Sequence, residues 1–140
     1  MADTISQSKR SWNMSRIRSR DTKPELAVRS MLHRKGFRFS LRRRDLPGKP
    51  DIVLVKYRTV IFVHGCFWHR HPNCRDASVP KSHVSFWTRK FEANVRRDRN
   101  ATRKLAVLGW KCLVVWECKL GDPGLPHWLD RMIRGRVQRD

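Results

Sequence analysis

Pro50-Asp51-Ile52-Val53-Leu54-Val55-Lys56-Tyr57-Arg58-Thr59-Val60-Ile61-Phe62-Val63-His64-Gly65-Cys66-Phe67-Trp68-His69-Arg70-His71-Pro72-Asn73-Cys74 is the stretch on which the fold turns. Residues 52–55 and 60–63 are apolar runs with the length and β-branched content of buried strands. The turn at Lys56-Tyr57-Arg58 makes them a hairpin, hence antiparallel. Asp51 stands at the mouth of the first strand. The second runs straight into His64, His69 and His71, with Cys66, Cys74 and the aromatic pair Phe67-Trp68 between and beside them. A bland surface has no need of this combination.

Working outward, Thr22 with Glu25 three residues later reads as a capping box, with Pro24 tolerated in the first helical turn. The helix is expected to run to about Lys35, with Leu26, Met31 and Leu32 inward and Gly36 ending it. Residues 37–41 alternate like a half-exposed strand, and the basic loop Arg42-Arg43-Arg44 to Pro50 follows. Beyond Cys74 the pattern predicts a loop to about Ser82, then a long helix from about His83 to Leu108. Its inner stripe is Trp87, Phe91, Val95, Asp98, Thr102, Leu105 and Leu108. A carboxylate at Asp98, inside an apolar seam, needs a partner or a task. A strand at residues 111–116 and an amphipathic helix with Leu125, Trp128, Leu129, Met132 and Ile133 complete the chain. The long helix permits a crossover into a parallel neighbour, so the class is α/β, a mixed sheet flanked by helices. Residues 1–20, polar and basic with Met14 and Ile17 as isolated apolar points, read as an arm that orders on a partner. Residues 21–140 read as one domain.

Charge names the partner class. The 140 residues carry 32 Lys and Arg against 12 Asp and Glu, a formal net charge of +20. An excess of that size repels itself in a compact chain and suits a polyanion. No apolar run approaches the roughly 20 residues that span a bilayer. The opening Met1-Ala2-Asp3-Thr4 has no apolar signal core, so a reducing, cytoplasmic setting is expected.

In that setting disulfides are not expected, and three of the four cysteines read as ligands that share a metal, with Cys112 a buried small hydrophobe. Cys66, Cys74 and Cys118 with one intervening histidine form a three-cysteine, one-histidine set of the structural zinc type. Spacing alone leaves His69 and His71 both open as the fourth ligand. Cys112 is excluded by reach: six residues of strand hold it about 20 Å from Cys118, far beyond what one zinc bridges. Asp51 with the carbonyl of Val63 suits a hard cation such as magnesium, which keeps oxygen ligands and several waters. Such an ion stabilises charge on a phosphate, and a nearby histidine takes the proton of the attacking water. Phe67 and Trp68, with Trp87 available to the same set, are either cover for the core or wedges between bases. Glu25 has its helix cap as an alternative role.

With these residues stand Asn13-Met14-Ser15-Arg16-Ile17, Leu46-Pro47-Gly48-Lys49-Pro50-Asp51, Asn94-Val95-Arg96-Arg97-Asp98, Leu108-Gly109-Trp110 and Val115-Trp116-Glu117-Cys118. Together they strongly resemble the very-short-patch mismatch repair endonucleases. The resemblance implies a restriction-endonuclease-like fold in which Phe62-Val63-His64 occupies the usual acid-x-lysine element. It implies nicking of double-stranded DNA on the 5′ side of the thymine in a thymine–guanine mismatch, by a monomer. Carried over by position, Asp51 and the Val63 carbonyl would hold magnesium and His69 would be the general base, supported by Glu25, His64 and Asp98. Zinc would fall to Cys66, His71, Cys74 and Cys118. Phe67, Trp68 and Trp87 would intercalate, and Met14 and Ile17 would ride on the arm. Val63 stands where the best-known member has threonine, which leaves it a main-chain role. Two other readings share these residues: a restriction enzyme cutting unmismatched duplex, and a zinc-stabilised DNA-binding protein with a silent centre.

Overall fold

The computed structural model describes residues 22–41 and 43–135. The expectations for the arm, Met14 and Ile17 included, and for Arg42 lie outside those residues. The elements are α1 (Lys23–Arg34), β1 (Ile52–Leu54), β2 (Thr59–His64), α2 (Val84–Val107), β3 (Lys111–Trp116) and α3 (Leu125–Arg134). Short 3-10 turns, Val55–Tyr57 and Glu117–Lys119, follow β1 and β3.

The sheet runs β1-β2-β3, with β1 antiparallel and β3 parallel to β2. The mixed sheet expected from the hairpin and the long crossover helix is therefore present. Alternation along the strands sorts its side chains onto two faces. Ile52, Leu54, Ile61, Leu113 and Val115 pack with Val28, Leu32 and Phe37 and with Leu125, Leu129 and Ile133 of α3. Val53, Val60 and Phe62 pack on the opposite face with Ala101 and Leu105 of α2 and with Trp110. Helices thus cover both faces, α1 and α3 on one and α2 on the other.

Several expectations need correction: Val55 lies exposed in the 3-10 turn beyond β1 rather than in the strand, and Thr102 is exposed rather than on the inner stripe of α2. α1 buries Val28 rather than Leu26, which is exposed, because its inward seam is Glu25, Val28 and Leu32. Residues 37–41 form no strand of their own; only Ser40 bridges, exchanging both backbone bonds with Val53. The cause lies at the end of α1. Gly36, at a φ of 83°, closes the helix with the bonds Gly36 N to His33 O and Phe37 N to Leu32 O. This left-handed cap drives Phe37 into the core, so extended pairing starts only at Ser40. The stripe of α2 ends at Leu105, with Ala101 buried in it and Leu108 exposed, because the helix stops at Val107.

Gly48 fixes how the loop ahead of Asp51 lies on α2. Its φ is 74°, and an added Cβ would sit 2.4 Å from the Ala101 methyl. No other residue permits so close a backbone approach in that conformation.

Candidate active site and metal centre

Asp51 is placed by the hairpin itself. Its N–H donates at 3.1 Å to the carbonyl of Ile61, the register partner of Ile52, and its Oδ2 accepts the Val63 N–H at 2.7 Å. Glu25 arrives from α1, on the buried seam of that helix. Burial pushes the Asp51 carboxyl up to about 7, with Glu25 adding to the rise while the Val63 N–H and His69 oppose it. Two carboxyl groups share this corner, where Arg29 Nη2 pairs with Glu25 Oε2 at 3.3 Å while Asp51 keeps its raised value. A hard divalent cation would favour the ionised form of Asp51, so these oxygen donors fit a metal.

His64 ends β2 on the α2 face. The His69 ring stacks on it at 3.8 Å between centroids and 4° between planes. His69 Nδ1 lies 2.7 Å from Asp98 Oδ2 of α2. An ionised Asp98 fixes the tautomer: Nδ1 carries the proton and donates it to the carboxylate, which leaves Nε2 as the basic nitrogen. Burial and the neighbouring His69 bring His64 down to about 4, so it is neutral at pH 7. Its Nδ1 is buried and has no hydrogen-bond partner among the described residues. An orphaned buried nitrogen typically costs about 1–3 kcal/mol, a cost offset once a substrate oxygen or water reaches it.

The four sulfur and nitrogen donors meet as well. Cys66, His71, Cys74 and Cys118 bring one ligand atom each to within 4.8 Å of one another. Tetrahedral zinc–thiolate bonds of about 2.3 Å put neighbouring sulfurs about 3.8 Å apart, close to this cluster as it stands. Burial, and side-chain hydrogen bonding to Cys118 and Cys74, push the Cys66 thiol up to about 12 against a Cys118 backbone hydrogen bond that lowers it. Crowded thiols of this kind ionise readily only around a cation, so these residues also fit a metal. Of the two histidines that spacing left open, His71 joins this cluster and His69 joins Asp98. Cys112 lies outside it, packed against the α2 side of the sheet.

Phe67, Trp68, Trp87 and Phe91 make one aromatic cluster, with Phe67 edge-on to the other three and Trp87 stacked on Phe91. Phe67 and Trp68 are half-buried, whereas Trp87 is only 6% exposed and forms the base of the cluster.

Sequence reasoning gave no role to two residues that organise this region. Asn94 Nδ2 donates to the Trp68 carbonyl at 3.1 Å, one helical turn before Asp98. The i, i+4 spacing of Asn94 and Asp98 was the available signal, since it puts both on one helix face. Trp116, paired in register with His64, stacks on His71 at 4.2 Å and stands edge-on to His64 at 5.2 Å. It is the partition between the two centres, and only the strand register reveals it.

A mixed sheet presenting half-buried Asp51 beside buried Glu25, with an oriented histidine next to them on a strongly basic chain, is an arrangement suited to a nuclease. Comparison with known proteins gives the family. Residues 2–75 match the DNA mismatch endonuclease Vsr family. The type II nicking enzyme V.XorIIP of Xanthomonas oryzae pv. oryzae is 51% identical over 124 residues, 89% of this chain and 90% of its own length. V.NmeAIP of Neisseria meningitidis is 44% identical over 135 residues, 96% of each chain. The DNA mismatch endonuclease Vsr of Escherichia coli is 43% identical over 141 aligned residues, 96% of this chain and 90% of its own. The chain belongs to the Vsr family of DNA mismatch endonucleases.

Proposed function

We propose that this endonuclease is a magnesium-dependent nickase that cuts one strand of duplex DNA 5′ to the thymine of a thymine–guanine mismatch. The observation that carries the reading is His69, held at Nδ1 by Asp98 and stacked on His64, beside half-buried Asp51 and buried Glu25. Asp51 and the Val63 carbonyl would hold magnesium, which when bound would neutralise charge on the phosphate and organise water near it. His69 Nε2 accepts the proton of the attacking water, and Asp98 stabilises the imidazolium that results. His64, neutral at its low pKa, offers a hydrogen bond without repelling that cation. Cys66, His71, Cys74 and Cys118 would hold zinc as a closed structural site. Phe67 and Trp68, backed by Trp87, would enter the duplex as a wedge, with Met14 and Ile17 contributing from the arm. The enzyme acts as a cytoplasmic monomer. Among the described residues no helix is long and apolar enough to cross a membrane.

The test is cleavage of duplexes carrying each mismatch in randomised flanks, with and without magnesium. Nicking of one strand at thymine–guanine pairs is expected. Double-strand cutting of perfect duplex would favour the restriction reading, and binding without any cleavage a silent centre.

A further inference from the structure

His69 and His71 stand two residues apart yet serve different centres. The chain achieves this by turning at Arg70, whose φ of 52° lies in the left-handed region that residues with side chains seldom adopt. Such strain persists only where surrounding contacts over-determine it. Arg70 has them. Its Nη1 donates to the carbonyls of Phe67 at 3.2 Å and Ser78 at 3.1 Å, and its Nη2 to that of Ala77 at 2.6 Å. The same guanidinium lies over the Phe91 ring, 4.1 Å from its centroid. Both limbs of the loop and the long helix therefore converge on one planar cation.

We propose that Arg70 is a positioning residue for mismatch discrimination, locking the loop of residues 67–78 so that Phe67 and Trp68 meet DNA as a rigid wedge. The proposal rests on the wedge reading given above. A rigid wedge imposes an unstacking whose cost depends on the base step, and that difference is what selects the mismatch. A loose one retracts, and both duplexes are then held by charge alone. Three of the five N–H donors of Arg70 are held by backbone carbonyls. Lysine keeps the charge but has neither the planar fork nor the stacking face that these contacts use.

Arg70→Lys in the full-length protein, measured on matched and thymine–guanine duplexes across a salt series, tests this. The preference for the mismatch is expected to fall roughly tenfold. The dependence of log affinity on log salt should be unchanged, since no phosphate contact is lost. A changed salt slope with preference intact would make Arg70 a phosphate ligand and overturn the proposal. So would loss of bound metal or of near-ultraviolet dichroism, which marks a purely structural role. In a Trp68→Ala background, Arg70→Lys should have no further effect on preference, because it acts through the wedge; an additional loss of similar size refutes that route. Preference intact in Trp68→Ala alone sinks the wedge reading itself. Preference lost in Trp68→Ala but kept in Arg70→Lys sinks only the role of Arg70.

Discussion

The role proposed for His69 as general base depends most on its contact with Asp98. The 2.7 Å approach of Asp98 selects the tautomer that leaves Nε2 basic. Asp98→Asn retains the shape but offers an amide, which neither demands the proton on Nδ1 nor stabilises an imidazolium. Single-turnover nicking is expected to fall by about 10²–10⁴ with DNA affinity nearly unchanged; a loss below tenfold would show that Asp98 does not act on the base. Asp51 makes a prediction about pH. In the folded, metal-free protein its carboxyl titrates near 7, against an ordinary value of 3.8. The proton it retains stabilises the fold fully below the ordinary value, and that stabilisation is lost as pH rises through about 7. Asp51→Asn carries no such proton. Its melting temperature in chelator should therefore overtake that of the wild type as pH rises from about 4 to about 8, and added magnesium should narrow the gap. Parallel melting curves for the two proteins would contradict the burial argument.

The elements decide which residues can meet, and here the two ends of β3 differ. Cys112 pairs in register with Val60, near the start of β2, while Cys118 follows the strand's other end on the turn Glu117–Lys119. Only the second end reaches Cys66, His71 and Cys74. One tightly held zinc per chain is expected to survive Cys112→Ala and to be lost or weakened in Cys118→Ala, as read by elemental analysis of purified protein. Equal loss in both would refute the assignment. This division was legible in the sequence because strand rise alone keeps the two cysteines apart. The hairpin, the long helix and the placing of Asp98 against a partner were legible for similar reasons, since each rests on a local period or spacing. The role of residues 37–41 was not. Alternation signals a strand only where a neighbour is available to pair, and the cap at Gly36 turns Phe37 into the core first. Nor was the seam of α1, where a polar Glu25 occupies an inward position that hydrophobic patterning assigns to leucine. Arg70 was illegible too, because its work is done on backbone carbonyls, which carry no sequence signal.

At the scale of the molecule, the proposed function divides recognition between charge and shape. A formal net charge of +20 draws any duplex, matched or not, and α2 presents Arg96, Arg99 and Arg103 along one open groove with Asn100. Contacts of that kind fix register and release counterions but read no mismatch. If the substrate is the proposed thymine–guanine pair, its wobble leaves the phosphates nearly where they were, so arginines on phosphate would not be expected to distinguish it. The step beside it is cheaper to unstack, and only a group that forces unstacking converts that into binding energy. Arg99→Ala and Arg103→Ala are therefore expected to weaken matched and mismatched binding alike, each lowering the magnitude of the salt slope by about one. Trp68→Ala should leave the slope in place and cut the mismatch preference. Affinities for both duplexes across a salt series separate the two effects in one experiment. If an arginine variant reduced preference as strongly as Trp68→Ala, charge would be reading the mismatch, and the division of labour between α2 and the aromatic cluster would be wrong.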